Sequence, residues 1–119
     1  MERTIITINE SGCVNIPDGN VWMSFAELVV LFGVSAPTLK AAIRAIHRSG
    51  VITEYTQHCE VIPYTYWATL YNMYMIVALA FRIHSYGAEK IRDEVLKRIC
   101  GRKEKVCYLF SLANSQIGM

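Results

Sequence analysis

Cysteine is sparse in this chain, and paired cysteine is missing altogether. Cys13, Cys59, Cys100 and Cys107 include no CxxC, which removes the spacing that zinc sites use. His58 and Cys59 are neighbours, and on a strand neighbours point to opposite faces, so no shared metal is expected there. Acids are few and scattered, and no glycine-rich phosphate loop occurs. His47, His58 and His84 have no nearby nucleophile or carboxylate in the sequence. The expectation is a protein that is not an enzyme and uses no cofactor or metal. A bilayer-spanning run is missing too. Val61 to Phe81 is uncharged over 21 residues, but Pro63, Thr65, Thr69 and Asn72 interrupt it, and only Met73 to Phe81 is apolar apart from a tyrosine. That remnant is too short to cross hydrocarbon, so no membrane partner is expected. The N-terminus lacks a signal-peptide pattern, which leads to an expected cytoplasmic location with reduced thiols.

What the chain does contain is a folded composition. Its 119 residues are 53% hydrophobic and 18% charged, which suits one domain with a real core and argues against disorder. The net charge is only +2, but it is unevenly spread: −3 over residues 1–27, +3 over 28–53, −2 over 54–81 and +4 over 82–119. Segregation of this kind is expected of a polyanion binder.

The organising stretch runs from Ser24 to Arg48. Phe25, Leu28, Val29 and Phe32 recur at helical spacing, as do Leu39, Ala42, Ile43 and Ile46, so two amphipathic helices are expected. Ser24 with Glu27 forms a capping box, and Ser35 is a good N-cap for the second helix. Pro37 falls in the first turn, where its missing N–H costs no helical bond. Gly33, Val34 and Ser35 alone separate the helices, which forces a steep crossing and outlines a helix-turn-helix. With the apolar stripe fixed, the outward face of the second helix carries Thr38, Lys40, Ala41, Arg44, His47 and Arg48. Between Glu27 and Glu54 the only formal charges are Lys40, Arg44 and Arg48. Such a helix fits a major groove, with early residues near base edges and later cations on phosphates. The plainer reading is a solvated basic face on a packed helix pair.

Taken in order, TIITI (4–8) and CVNI (13–16) flank Asn9-Glu10-Ser11-Gly12 and read as a β-hairpin. Pro17 to Asn20 turns into Val21 and Trp22, with Trp22 and Met23 placed to pack on the first helix. After Ser49-Gly50, Val51, Ile52 and Thr53 can begin a strand. Cys59 to Tyr71, broken by Pro63, is β-prone and reads as a wing or as an ordinary sheet edge. Tyr55, Tyr64, Tyr66, Tyr71 and Tyr74 are expected in the core before they are expected to stack on bases. Asn72 caps a helix from Met73 to Ala80 that Arg82-Ile83-His84 ends, with Arg82 bonding the last carbonyls. Ser85 caps another helix to about Cys100, with Ala88, Ile91, Val95 and Ile99 inward. Its outer face carries Glu89, Lys90, Arg92, Asp93, Glu94, Lys97 and Arg98. Gly101 ends it, before a basic RKEK run, VCYLFSL and a frayed ANSQIGM.

The whole is expected to be a single α+β domain, winged helix-turn-helix-like, with an N-terminal β-hairpin and two C-terminal helices. Its parts are hairpin (1–20), helix-turn-helix (21–50), strand or wing (51–71), helical pair (72–100), and basic linker and tail (101–119).

The order of NESG, VWMSFAELVVLFGVS and LYNMYMIVALAFRIHS followed by IR resembles the N-terminal part of the RhuM family of bacterial proteins, often labelled virulence proteins. The positions that match are Trp22, Leu31, Phe32 and Gly33, then Tyr71, Asn72, Ile76, Arg82, Ser85 and Arg92. Phe25 stands where that family has glutamine, Val29 where it has alanine, and Glu94-Val95 where it has Trp-Ala. The resemblance covers most of residues 3–95. It implies a DNA-binding regulator associated with mobile elements or prophages, without naming a target. The expected DNA contacts are Ser35, Pro37, Thr38, Lys40, Ala41, Arg44, His47 and Arg48. The expected partners are double-stranded DNA, a second copy of the chain, and a protein partner reached through the C-terminal tail. The rival expectation is a protein–protein interaction module that keeps the helix-turn-helix shape without binding DNA.

Overall fold

The computed structural model describes residues 3–52, 54, 56–61 and 66–100. The expectations at Thr53, Tyr55, Pro63, Tyr64 and the 101–119 linker and tail lie outside the described residues, as do the side chains of His58, Cys59 and Tyr66.

The chain begins as a hairpin, because Asn9 organises the turn. Its Oδ1 accepts from the backbone N–H of Ser11 at 3.0 Å and of Cys13 at 2.9 Å, and Gly12 takes φ 85° at the corner. Strand β1 (Thr7–Ile8) pairs antiparallel with β2 (Val14–Asn15). This ladder is shorter than the runs 4–8 and 13–16 suggest. Thr4 has left it and bridges in parallel to Val21, its N–H donating to the Asn20 carbonyl at 2.8 Å. Backbone groups engaged at one place are lost to the other ladder.

Strand β3 (Trp22–Ser24) follows and runs directly into helix α1 (Phe25–Phe32). The capping box at Ser24 and Glu27 is complete, and Gly33 ends the helix at φ 63°. Helix α2 (Ala36–Ser49) starts on the Ser35 cap and stops at Gly50, φ 70°. The two helices are inclined by 107°. Val51 and Ile52 do not begin a strand. The left-handed Gly50 throws the chain outward into a bend, leaving Val51 81% exposed, and the ladder starts only at Thr56.

Strands β4 (Thr56–Val61) and β5 (Tyr66–Asn72) pair antiparallel, and β5 also pairs with β3, giving the order β3-β5-β4. Asn72 closes this sheet twice. Its Oδ1 accepts from the Met75 N–H at 3.2 Å, capping helix α3 (Met73–Arg82), and its amide donates to the Glu54 carbonyl at 2.8 Å. Ser85 caps helix α4 (Tyr86–Cys100) by accepting from the Ala88 N–H at 3.1 Å. The result is a compact α+β unit with one core. Met23, Leu28, Phe32, Leu39, Leu70, Met75, Ile76, Leu79 and Ile91 are each 1% exposed or less.

Three expectations about the helical pair need correcting. Tyr74, expected in the core, is 73% exposed, on the side of α3 opposite the buried Met75, Ile76, Leu79 and Ala80. Ile99 is 73% exposed while Ala88, Ile91 and Val95 are buried. Helix α4 has 15 residues against 10 in α3, so its last turn has run past the end of its partner. The α3 carbonyls are bonded, but by Arg92: its Nη1 donates to the Ala80 carbonyl at 2.7 Å and the Ile83 carbonyl at 2.9 Å. Arg82 is exposed, and the carbonyls of Ala80 and Ile83 are already taken by Arg92. Among the described residues no single helix is long and apolar enough to cross a membrane.

Candidate nucleic-acid interface

Helix α2 is positioned by its cap and its buried stripe. Ser35 Oγ accepts from the Thr38 N–H at 3.3 Å and lies 2.8 Å from the Thr38 hydroxyl, while Leu39 N–H donates to the Ser35 carbonyl at 3.0 Å. Leu39, Ala42 and Ile46 are buried, and Ile43 is packed at the margin. That stripe fixes the rotation of the helix about its axis. Ser35, Pro37, Thr38, Lys40, Ala41, Arg44, His47 and Arg48 are all exposed. At about 100° per residue, Pro37, Ala41, Arg44 and Arg48 form the ridge directly opposite the buried stripe. Lys40 and His47 flank it on one side and Thr38 on the other.

The electrostatics of this face are one-sided. Arg3 pairs with Glu27 and Arg98 with Glu94, both away from Lys40, Arg44 and Arg48. No described carboxylate lies within ion-pair distance of Lys40, Arg44 or Arg48. Arg48, in the last turn, also sits favourably on the helix dipole. Lys40 and Arg44 are too far from the C-terminus for that explanation.

Beside the N-terminal turn of α2 is a cavity of about 420 Å³ lined by Phe25, Ala36, Pro37, Lys40 and Tyr71. Tyr71 arrives there through the pairing of β5 with β3, where it stands opposite Met23. Nothing in the local sequence signals that meeting. Among the described residues no group of three or more His, Cys, Asp and Glu is placed to hold a metal.

Most of the positions that carry the sequence resemblance have structural work, Arg82 excepted. Leu31, Phe32 and Ile76 are buried, and Gly33, Asn72 and Ser85 are caps. Arg92 holds the end of α3, and Trp22 pairs with Asn72 across β3 and β5. None lies on the outward face of α2, so the resemblance concerns the scaffold and is silent about what that face meets. Compared with protein-family models, characterised proteins and solved structures, the chain matches none.

Proposed function

We propose that this chain is a cytoplasmic, sequence-specific DNA-binding protein, a RhuM-like transcriptional regulator of mobile-element or prophage origin, without catalytic activity. The reading places α2 in the major groove. Ser35, Pro37, Thr38, Lys40 and Ala41 lie toward the bases, with Arg44, His47 and Arg48 following. The observation that carries it is the acid-free face of α2, whose three cations meet no described carboxylate. Support also comes from the architecture: a short, capped helix pair inclined by 107° is followed by antiparallel strands β4 and β5, with β5 paired back to β3, an order that suits a winged helix-turn-helix. Helices of this kind usually read palindromic sites as dimers, so a homodimer is part of the proposal.

A second reading, a protein–protein interaction module without DNA binding, draws on exposed apolar side chains elsewhere. Tyr74 and Ile99 are each 73% exposed and Phe81 50%.

The test is fluorescence anisotropy on mixed-sequence duplex DNA at about 50 and about 200 mM salt, where each phosphate contact contributes about 0.9 to the logarithmic salt slope. The proposal expects steep salt dependence for the wild type. A folded Lys40→Ala, Arg44→Ala, Arg48→Ala variant should lose affinity and up to about 2.7 of that slope. Equal binding by both proteins, or none at low salt, would remove α2 as the contact surface and leave the interaction module in front.

A further inference from the structure

The ridge of α2 changes chemistry along its length. Its first half presents Pro37 and Ala41, both exposed and both short; its second half presents Arg44 and Arg48. Lys40 stands about 60° off the ridge, and the Thr38 hydroxyl is already engaged with Ser35 Oγ at 2.8 Å. The N-terminal two turns therefore offer an apolar surface with no long side chain to hold the backbone away from what it faces.

We infer that Pro37 and Ala41 are specificity-determining residues that select thymine through its C5 methyl group, a step that rests on the DNA reading of α2. A Cβ methyl and a pyrrolidine ring have neither donor nor acceptor. Of the groups that base pairs expose in the major groove, the thymine methyl is the one that such a surface matches. The other groups exposed there, thymine O4 included, are donors or acceptors that would face carbon and lose water if the apolar patch covered them, which costs affinity. The short side chains also let the helix approach closely, so that the methyl is buried and not merely near. Arg44, on the next turn, then reaches past this patch. The target is a duplex whose half-sites carry thymine where the N-terminal end of α2 docks.

The experiment selects duplexes from a randomised pool with the full chain and copies the selected sequences once with thymidine and once with deoxyuridine, which lacks only the methyl. Affinities are compared by anisotropy at one salt concentration. The wild type should bind the deoxyuridine copies about fourfold more weakly per contacted methyl. Ala41→Gly, verified as helical by circular dichroism, should lose most of that difference, whereas Arg48→Ala should weaken both copies alike. Selected sequences without thymine, or equal binding of the two copies by the wild type, would overturn the inference while leaving salt-dependent DNA binding intact. Absence of salt-dependent binding to any duplex would instead remove the DNA reading, and this inference with it.

Discussion

Helices α2 and α4 have 14 and 15 residues and pack on the same core, yet they use their charges in opposite ways. On α4, Arg92 is bound to two carbonyls of the preceding helix end. Arg98 Nε donates to Glu94 at 3.2 Å, and the Lys90 ammonium sits 5.3 Å from the centre of the Tyr86 ring. On α2, Lys40, Arg44 and Arg48 meet no described acid. A count of lysine and arginine would rank α4 as the more basic helix. What singles out Lys40, Arg44 and Arg48 is that they meet no described acid, since a cation already engaged by its own fold has less to offer a phosphate. The helices also differ in seating: α4 touches α1 through backbone at Gly87, whereas α2 rests on the side chains of Leu39, Ala42 and Ile46.

The largest effect should come from breaking that seating. A Cβ at Gly87 would overlap the Leu31 carbonyl oxygen and come within 3.0 Å of the Phe32 Cα. These are backbone atoms with no rotamer to yield, so Gly87→Ala should cost about 3 kcal/mol of unfolding free energy, measurable by urea titration. A change of similar size on the outward face of α2, such as Ala41→Ser, should stay within about 0.5 kcal/mol. Next in size is Arg92→Met, which keeps much of the aliphatic stem and removes two charge-assisted bonds. A loss of about 2 kcal/mol is expected, against less than about 0.5 kcal/mol for the exposed Arg82→Met. Equal losses would mean that α3 is not held at its C-terminus by α4.

The Arg82 and Arg92 contrast shows where sequence reading reaches its limit. Caps are local, so Ser24 with Glu27, Gly33, Ser35, Asn72 and Ser85 each announced a helix boundary that the fold contains. That an arginine should bond the carbonyls ending α3 was also foreseeable from chemistry. Which arginine does so depends on α4 folding back, and that information lies ten residues further along the chain. Strand β3 was hidden for the same reason. Three residues between a turn and a cap show no periodicity, and their partners, Leu70 to Asn72, are far away in sequence. The outward face of α2 was legible because it is what remains after the buried stripe is subtracted. The Phe25 and Tyr71 walls beside it were not, because they depend on the sheet.

A smaller effect tests how the N-terminus is anchored to α1, the helix on which α4 is seated. Arg3 Nη1 and Nη2 donate to Glu27 at 2.6 and 3.1 Å, and Nη1 also donates to the Trp22 carbonyl at 3.0 Å. Glu27 Oε1 in turn accepts from the Ser24 N–H at 2.8 Å. Burial, the largest single influence on this carboxyl, pushes its pKa up. The hydrogen bond from Arg3, the Ser24 N–H, the Arg3 charge and the Ser24 hydroxyl together outweigh it and hold the pKa below the usual glutamate value. A depressed folded pKa means that the contribution is present at neutral pH and above, and is lost as pH falls through that lowered value. The pair is partly solvated and screened, so Glu27→Gln should cost only about 1 kcal/mol at neutral pH. That deficit should shrink on acidification, as wild-type Glu27 itself becomes protonated. A deficit that persists unchanged at acid pH would mean the lost stability comes from packing and not from the charge.

The smallest effect sharpens the comparison most. Arg48→Met and Arg98→Met make the same chemical change in the last turn of the two helices, each with a favourable dipole position to lose. Neither should shift stability by more than about 0.5 kcal/mol, because exposed cations on helices are worth little to folding. Their effects on DNA should part company. Arg98 already has Glu94, so its removal should leave both affinity and salt slope where they were. Arg48 should take about 0.9 from the logarithmic salt slope, the signature of one released counterion. If the two variants lose slope equally, cations on both helices approach the phosphates and the interface is broader than α2. If Arg98 alone matters, the partnered charge is the one that binds, and internal pairing is the wrong criterion for finding the contact face.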